Sequence, residues 1–466
     1  MRRDCLRYAD FRCSVIKYRA LGEEIMSMTK KTLVIICACV LFPPTAVMAE
    51  TSYEDFLGWL DEHSGAPKDG LSPGLYGRSS VPDLSRYLPP GYIENFEFDE
   101  LSLELVETEN YVEHAKYQAA SKLFENEPKI DPSGELLNYT AGKPFSRQQI
   151  EAEKAENAGW MVAYNHIHRW QRYGYRVENK SFNVAPTKGN KKGNQIKSVM
   201  QGGGHVDRHF DMFYHRVYLS KLASEPSTNY RMKVDGSKHL LYKEYLEFKS
   251  PFDMAGMKFV IERPLDQKKG DQVNSYLPSE RRVRRLSARE RADSWVGTNW
   301  TLDDFEGFSG LVMDNEWRYL GKKVVLHVTN SKNRTPLSHG NLSLIPLDRW
   351  QLRPCYVVEA TPRWKDHPYG RRVIFVDADT GSIATTLVYD HDGLLWKIFT
   401  TQYAHSNELE SKEEAYSTPR WRGSIALNVR DNNGTIGVST SPAEYVSVKP
   451  SQVRRLFDVS NLSSGR

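Results

Sequence analysis

Beyond residue 49 this chain of 466 residues has one cysteine. Cys5, Cys13, Cys37 and Cys39 all precede that point, and only Cys355 follows it. A lone thiol forms no internal disulfide, so a large core must replace covalent staples. Long apolar runs are also missing. The longest is Leu33–Phe42, uncharged but too short to span a bilayer. An excess of one charge is missing too. Residues 1–49 hold eight Lys and Arg against four Asp and Glu, so the 63 basic and 59 acidic residues of the whole chain fall to 55 of each after residue 49. The net charge of +4 therefore belongs to the leader, and nothing electrostatic points to nucleic acid. No Gly-x-Ser-x-Gly elbow, Cys-x-x-Cys pair or dinucleotide fingerprint occurs, and Gly202-Gly-Gly204 lacks the Lys-Ser/Thr of a phosphate loop. These absences imply no cofactor and no catalytic constellation, so the protein is read as a non-enzyme.

What is present begins with an export signal. Lys30-Lys31 forms a basic start, Leu33–Phe42 the apolar stretch, and Val47-Met-Ala49 puts small residues ahead of a cut before Glu50. Translation then starts most naturally at Met26 or Met28. Residues 1–49 are leader and signal peptide, and 50–466 read as one domain of a protein exported to the periplasm, soluble or peripheral at the outer membrane. A lipoprotein reading would need Ile36-Cys-Ala-Cys39 as its cleavage box, where Cys37 fits poorly.

The stretch from Arg349 to Tyr403 reads as four antiparallel strands with their turns written out. Cys355–Ala360 and Arg371–Val376 are β-branched, Asp377-Ala-Asp-Thr-Gly381 turns, Ser382–Tyr389 follows, and Asp390-His-Asp-Gly393 turns into Leu394–Phe399. Val373 and Phe375 point to one face, and Ile374 and Val376 to the other. Apolar residues on both faces require apolar cover on both, as two packed layers or as a core and a cavity.

Upstream, Thr51–His63 reads as a short helix and Leu101–Val106 as a half-buried strand. Thr108 is positioned to cap a helix over Glu109–Phe124 with Val112, Ala115, Ala119 and Leu123 inward. Ser146 and Gln149 make a capping box for a second helix running to about Tyr173. Pro186–Gly204 reads as a mobile basic loop. Strands are expected at His205, Leu240–Phe248, Met257–Arg263, Val283–Leu286 and Lys323–Val328. The class is α+β, with helices first and a long antiparallel sheet after.

Two clusters invite a functional reading. Arg281, Arg282, Arg284 and Arg285 crowd one strand, with Arg282 and Arg284 on one face. They either pair with carboxylates such as Asp303 and Asp304, or hold an anionic headgroup or partner. His205, Asp207, His209 and Asp211 recur at period two, which would suit a metal-assisted hydrolase. Along a straight strand, however, ligands at i, i+2 and i+4 spread over about 13 Å, too far for one ion. No metal site is assigned.

The Arg-Arg-Val-Arg-Arg strand, Asp303-Asp304, Trp317-Arg-Tyr-Leu-Gly-Lys-Lys323 and Arg349–Ala360 occur in order and lead into Arg371–Asp377 and Tyr389–Trp396. Lys143-Pro-Phe145 precedes a helix with Trp160 and Asn165. In this order the set resembles a periplasmic domain-of-unknown-function family of Gram-negative bacteria known as outer-membrane lipoprotein-sorting-like. The resemblance covers roughly 52 to 450 and departs at Val328-Thr-Asn330. It implies a LolA/LolB-like fold, a curved antiparallel half-barrel covered by helices over an apolar cavity. It further implies a carrier for a lipid or another hydrophobic molecule, working beside an exporter and an outer-membrane β-barrel protein. The doubly apolar strands around Phe375, Leu387 and Trp396 are expected to line such a cavity beneath the early helices, and Arg282 and Arg284, conspicuous at neutral net charge, either to meet a headgroup or partner or to sit in buried pairs with acids such as Asp303 or Asp304.

Overall fold

The computed structural model describes residues 50–63, 70–187, 194–287, 289–405, 418–441 and 448–463. The export signal, Lys188, Lys191 and Lys192 lie outside them. Helices come first: α1 Tyr53–Glu62, α2 Ala115–Leu123, α3 Arg147–Ala152 and α4 Ala155–Ile167. Strands follow: β1 Arg176–Ala185, β2 His205–Tyr218, β3 Leu240–Ser250, β4 Lys258–Pro264, β5 Gln272–Leu277 and β6 Arg282–Leu286. Then come β7 Asn315–His327, β8 Arg349–Pro362, β9 Arg371–Asp377, β10 Ile383–Tyr389 and β11 Leu395–Ala404. Strands β12 Arg420–Asn428 and β13 Asn433–Ser439 precede a last helix, α5 Pro450–Leu456.

All of these strands join one sheet, in the order β7-β8-β9-β10-β11-β12-β13-β1-β2-β3-β4-β5-β6, with every neighbour antiparallel. The chain enters at β1 in the middle, runs out to β6, crosses to β7, and works back until β13 pairs with β1. The short strand Leu103–Leu105 pairs in parallel with the start of β8. Edges β6 and β7 do not pair, so no barrel closes among the described residues. The α+β class and the large, mostly antiparallel sheet match the expectation, and so does the meander from β8 to β11.

The first face is covered by the N-terminal segment. Phe56 and Trp59 of α1 pack on Phe375, at 6.2 and 6.3 Å between ring centres. Cys355, Val357, Val373, Leu387 and Ile398 fill the same core. Farther along this face, α5 lays Val453 and Phe457 near Val217 and Val260. The second face is covered by α4 and by residues 289–314, the segment that crosses from β6 to β7. Tyr356, Val358, Ile374 and Val376 meet Trp160 and Tyr164 there. Gly159 lets α4 touch the sheet directly, because a Cβ on it would lie 2.7 Å from the Arg318 backbone. Both faces are thus packed, which is why β9 is apolar on both.

Three local expectations change. The helix over Glu109–Phe124 starts only at Ala115, with His114 as its cap. Thr108 instead donates to the Leu352 carbonyl, and the Glu109 amide donates to Gln351. Val112 and Leu123 consequently face solvent. The second helix breaks at Glu153 and Lys154, which are extended, and ends at Ile167 rather than near Tyr173. The described part of the basic loop is anchored rather than mobile: Val199 and Met200 are buried, and the Gly203 amide donates to Gly340.

Candidate functional site

The crossing segment is fastened to the second face by buried ion pairs. Arg263 of β4 grips Asp271 with two 2.8 Å hydrogen bonds, and Arg291 bridges Asp271 at 2.9 Å and Asp303 at 2.7 Å. Asp304 accepts from Tyr369 at 2.9 Å and from Arg372 at 3.2 Å, while Glu306 accepts from Arg169 and Tyr175. Burial pushes the Asp271 carboxyl up, but Arg263 and Arg291 outweigh it and hold it below its ordinary value. Glu306 behaves alike, held low by Arg169 and Arg216 against its burial. Arg263 also donates to the carbonyls of Ser309 and Gly310, so one side chain ties strand and crossing segment together.

Beside Arg263 opens a cleft of about 730 Å³. Its walls come from the hairpin around Leu136–Tyr139, the end of α4 at Tyr164, Ile167 and His168, Leu241, Pro264–Leu265, and Gly310–Met313. The size falls within the range of small-molecule sites, and the lining is mixed: Glu127, Lys129, Glu135 and Gln267 stand beside the apolar residues, with Glu135 paired to Lys268 at 2.6 Å. Lys221 stands in the wall. Its ammonium donates to the Tyr139 carbonyl and lies 5.1 Å from the Tyr139 ring centre. No carboxylate comes within ion-pair distance of it among the described residues. Burial, reinforced by Arg231, lowers its pKa to about 8. Burial also lowers His168, to about 3, so that ring stays neutral near pH 7.

A second, smaller pocket of about 50 Å³ lies under the other end of the crossing segment. Phe210, Met212, Leu246, Trp295, Trp300 and Trp421 line it. Gly437 makes room for Trp300, whose ring would be 2.9 Å from a Cβ there. The Trp295 Nε1 donor is buried without a hydrogen-bond partner among the described residues.

The residues singled out from sequence are scattered by the fold. Phe375 and Leu387 are 0 % exposed in the filled core of the first face and line neither opening. Trp396 is half-buried beside Tyr369 and Phe399 on the second face. Arg282 and Arg284 are exposed on edge strand β6; the partners of Asp303 and Asp304 are Arg291 and Arg372 instead. On β2, His205 pairs with Asp207 at 2.7 Å and Asp211 with Lys180, and no group of three His, Cys, Asp or Glu that could hold a metal forms among the described residues. Sequence reading did not find the cleft, because Lys221, Arg263 and Leu311 come from separate segments with no shared motif.

No helix among the described residues is long and apolar enough to cross a membrane. No curated protein matches the chain significantly. Among solved structures, it is similar to a putative outer membrane lipoprotein-sorting protein domain from Vibrio parahaemolyticus, at 15% identity and a TM-score of 0.42, covering 65% of this chain and 97% of that one. A DUF1329 family protein from Desulfovibrio piger matches at 16% identity and a TM-score of 0.43, covering 66% of this chain and 100% of the other. A LolA superfamily protein from Nitrosomonas europaea matches at 11% identity and a TM-score of 0.37, covering 65% and 97%. The family model described as "Protein of unknown function (DUF1329)" matches residues 79–462, most of the chain, and the protein therefore belongs to the DUF1329 family.

Proposed function

We propose that this protein binds and carries a lipid or similar hydrophobic molecule with an anionic end, held in the cleft beside Arg263. The observation that carries this reading is the ammonium of Lys221, set in a largely preformed cleft without a carboxylate partner among the described residues. A cation in that position is completed by an anion, while Leu136, Ile167, Leu241, Leu311 and Met313 receive the apolar body. Burying an acyl chain of sixteen methylenes gains roughly 13 kcal/mol at ~0.8 kcal/mol each before entropy costs. Release to a membrane therefore needs a partner or an open site, and the cleft is open. The working location in this reading is the periplasm, reached through the signal read in residues 26–49, and the partners are an exporter and an outer-membrane β-barrel protein.

The test is organic extraction and mass spectrometry of protein purified without detergent, followed by titration with a fluorescent long-chain fatty acid. Lys221→Met should weaken fatty-acid binding while the protein keeps its melting temperature. Failure of wild-type protein to hold or take up any amphiphile would sink the reading.

A further inference from the structure

The β5–β6 hairpin ends the sheet and carries Arg281, Arg282, Arg284 and Arg285, all exposed. Its one carboxylate, Glu280, lies 3.9 Å from Arg284, so four arginines and one glutamate leave the hairpin at +3. The turn joining β3 to β4 lies at the same end of the sheet, since Lys258 is paired with Tyr276. The two turns approach each other: a Cβ on Gly256 would stand 3.4 Å from Pro278. That turn carries Phe252, 99 % exposed, and its own carboxylate, Asp253, is taken by Arg208 at 2.5 Å. Val283, among the arginines, is also exposed. Charges on an edge strand discourage pairing with another sheet. That role explains the arginines but not a bare phenylalanine on the adjoining turn.

We propose that this corner docks on an anionic lipid membrane. Phe252 enters the boundary between headgroups and acyl chains, and the arginines lie over the lipid phosphates, which guanidinium binds in a two-pronged fashion. An anionic membrane fits better than a protein partner because the corner is basic and carries one fully exposed apolar ring. The claim is independent of what fills the cleft, which lies at the opposite end of β3 and β4, beside Pro264.

Sedimentation with vesicles tests it, using phosphatidylglycerol or phosphatidylcholine. Wild type should sediment with phosphatidylglycerol vesicles, lose that binding as salt rises, and leave phosphatidylcholine vesicles unbound. Changing all four arginines to Gln should lower partitioning about six hundredfold, at roughly fivefold per arginine. Phe252→Ser should lower it about tenfold. Both variants alter exposed side chains and should melt as wild type does. If phosphatidylglycerol vesicles are not bound, or are bound equally by wild type and both variants, the corner is edge protection or a protein contact and the proposal is overturned.

Discussion

Asp304, in the segment that crosses the second face, receives the guanidinium of Arg372 on β9 at 3.2 Å, and both side chains are essentially sealed from solvent. The pair nails the crossing segment to the sheet. Removing one partner leaves the other charged and buried, which costs about 3–5 kcal/mol. Asp304→Asn should therefore lower the melting temperature by many degrees. Replacing Arg282 and Arg284 with Gln should leave it unchanged. Thermal melts of the two variants side by side check this, and equal melting would show that the pair does not hold the segment.

How far the sequence was legible follows from where the determinants sit. The meander from β8 to β11 was readable because each turn is local: Asp377–Gly381 and Asp390–Gly393 carry their own chemistry. The capping box at Ser146 and Gln149 was readable for the same reason. Partnerships across the sheet were not. Asp303 and Asp304 follow the arginine strand closely in sequence, but the crossing segment carries them away to Arg291 and Arg372. Apolar residues on both faces of β9 fit two packed layers as well as a cavity, and the placement of Phe375 decides for packing. Lys221 takes a left-handed backbone conformation, φ 62°, in a turn that no spacing rule marks as a site wall.

The two kinds of apolar position should respond differently to charge. Phe375→Arg and Leu387→Arg place an unpaired cation in a filled core and should prevent folding. Leu311→Arg, at the half-buried wall of the cleft, should fold and lose amphiphile binding. Circular dichroism and gel filtration separate these outcomes. A well-folded Phe375→Arg would show that the first-face core has room that the packing around α1 denies.

Lys221 gives the binding a pH signature. Its pKa in the folded protein is about 8, against an ordinary 10.5. An anionic ligand needs the charged form, so affinity should fall as pH rises through about 8, and binding near that pH should take up protons. For stability the sign is opposite. The unfolded chain binds the proton more tightly, so between about 8 and 10.5 this group makes the empty protein more stable as pH rises. Calorimetric titration of a fatty acid across this range, in two buffers of different ionisation enthalpy, measures both the affinity and the proton uptake. In Lys221→Met both pH dependences should flatten.

The central claim is that the cleft beside Arg263 holds an amphiphile. The most direct test is mass spectrometry of organic extracts from wild type and from Leu311→Trp, a variant that narrows the cleft at its apolar wall, each purified without detergent. The account predicts a lipid or fatty acid in near-stoichiometric amount with wild type and its loss from a Leu311→Trp protein that still melts normally. Equal lipid in both extracts, or none in wild type together with no uptake of added fatty acid, would contradict it.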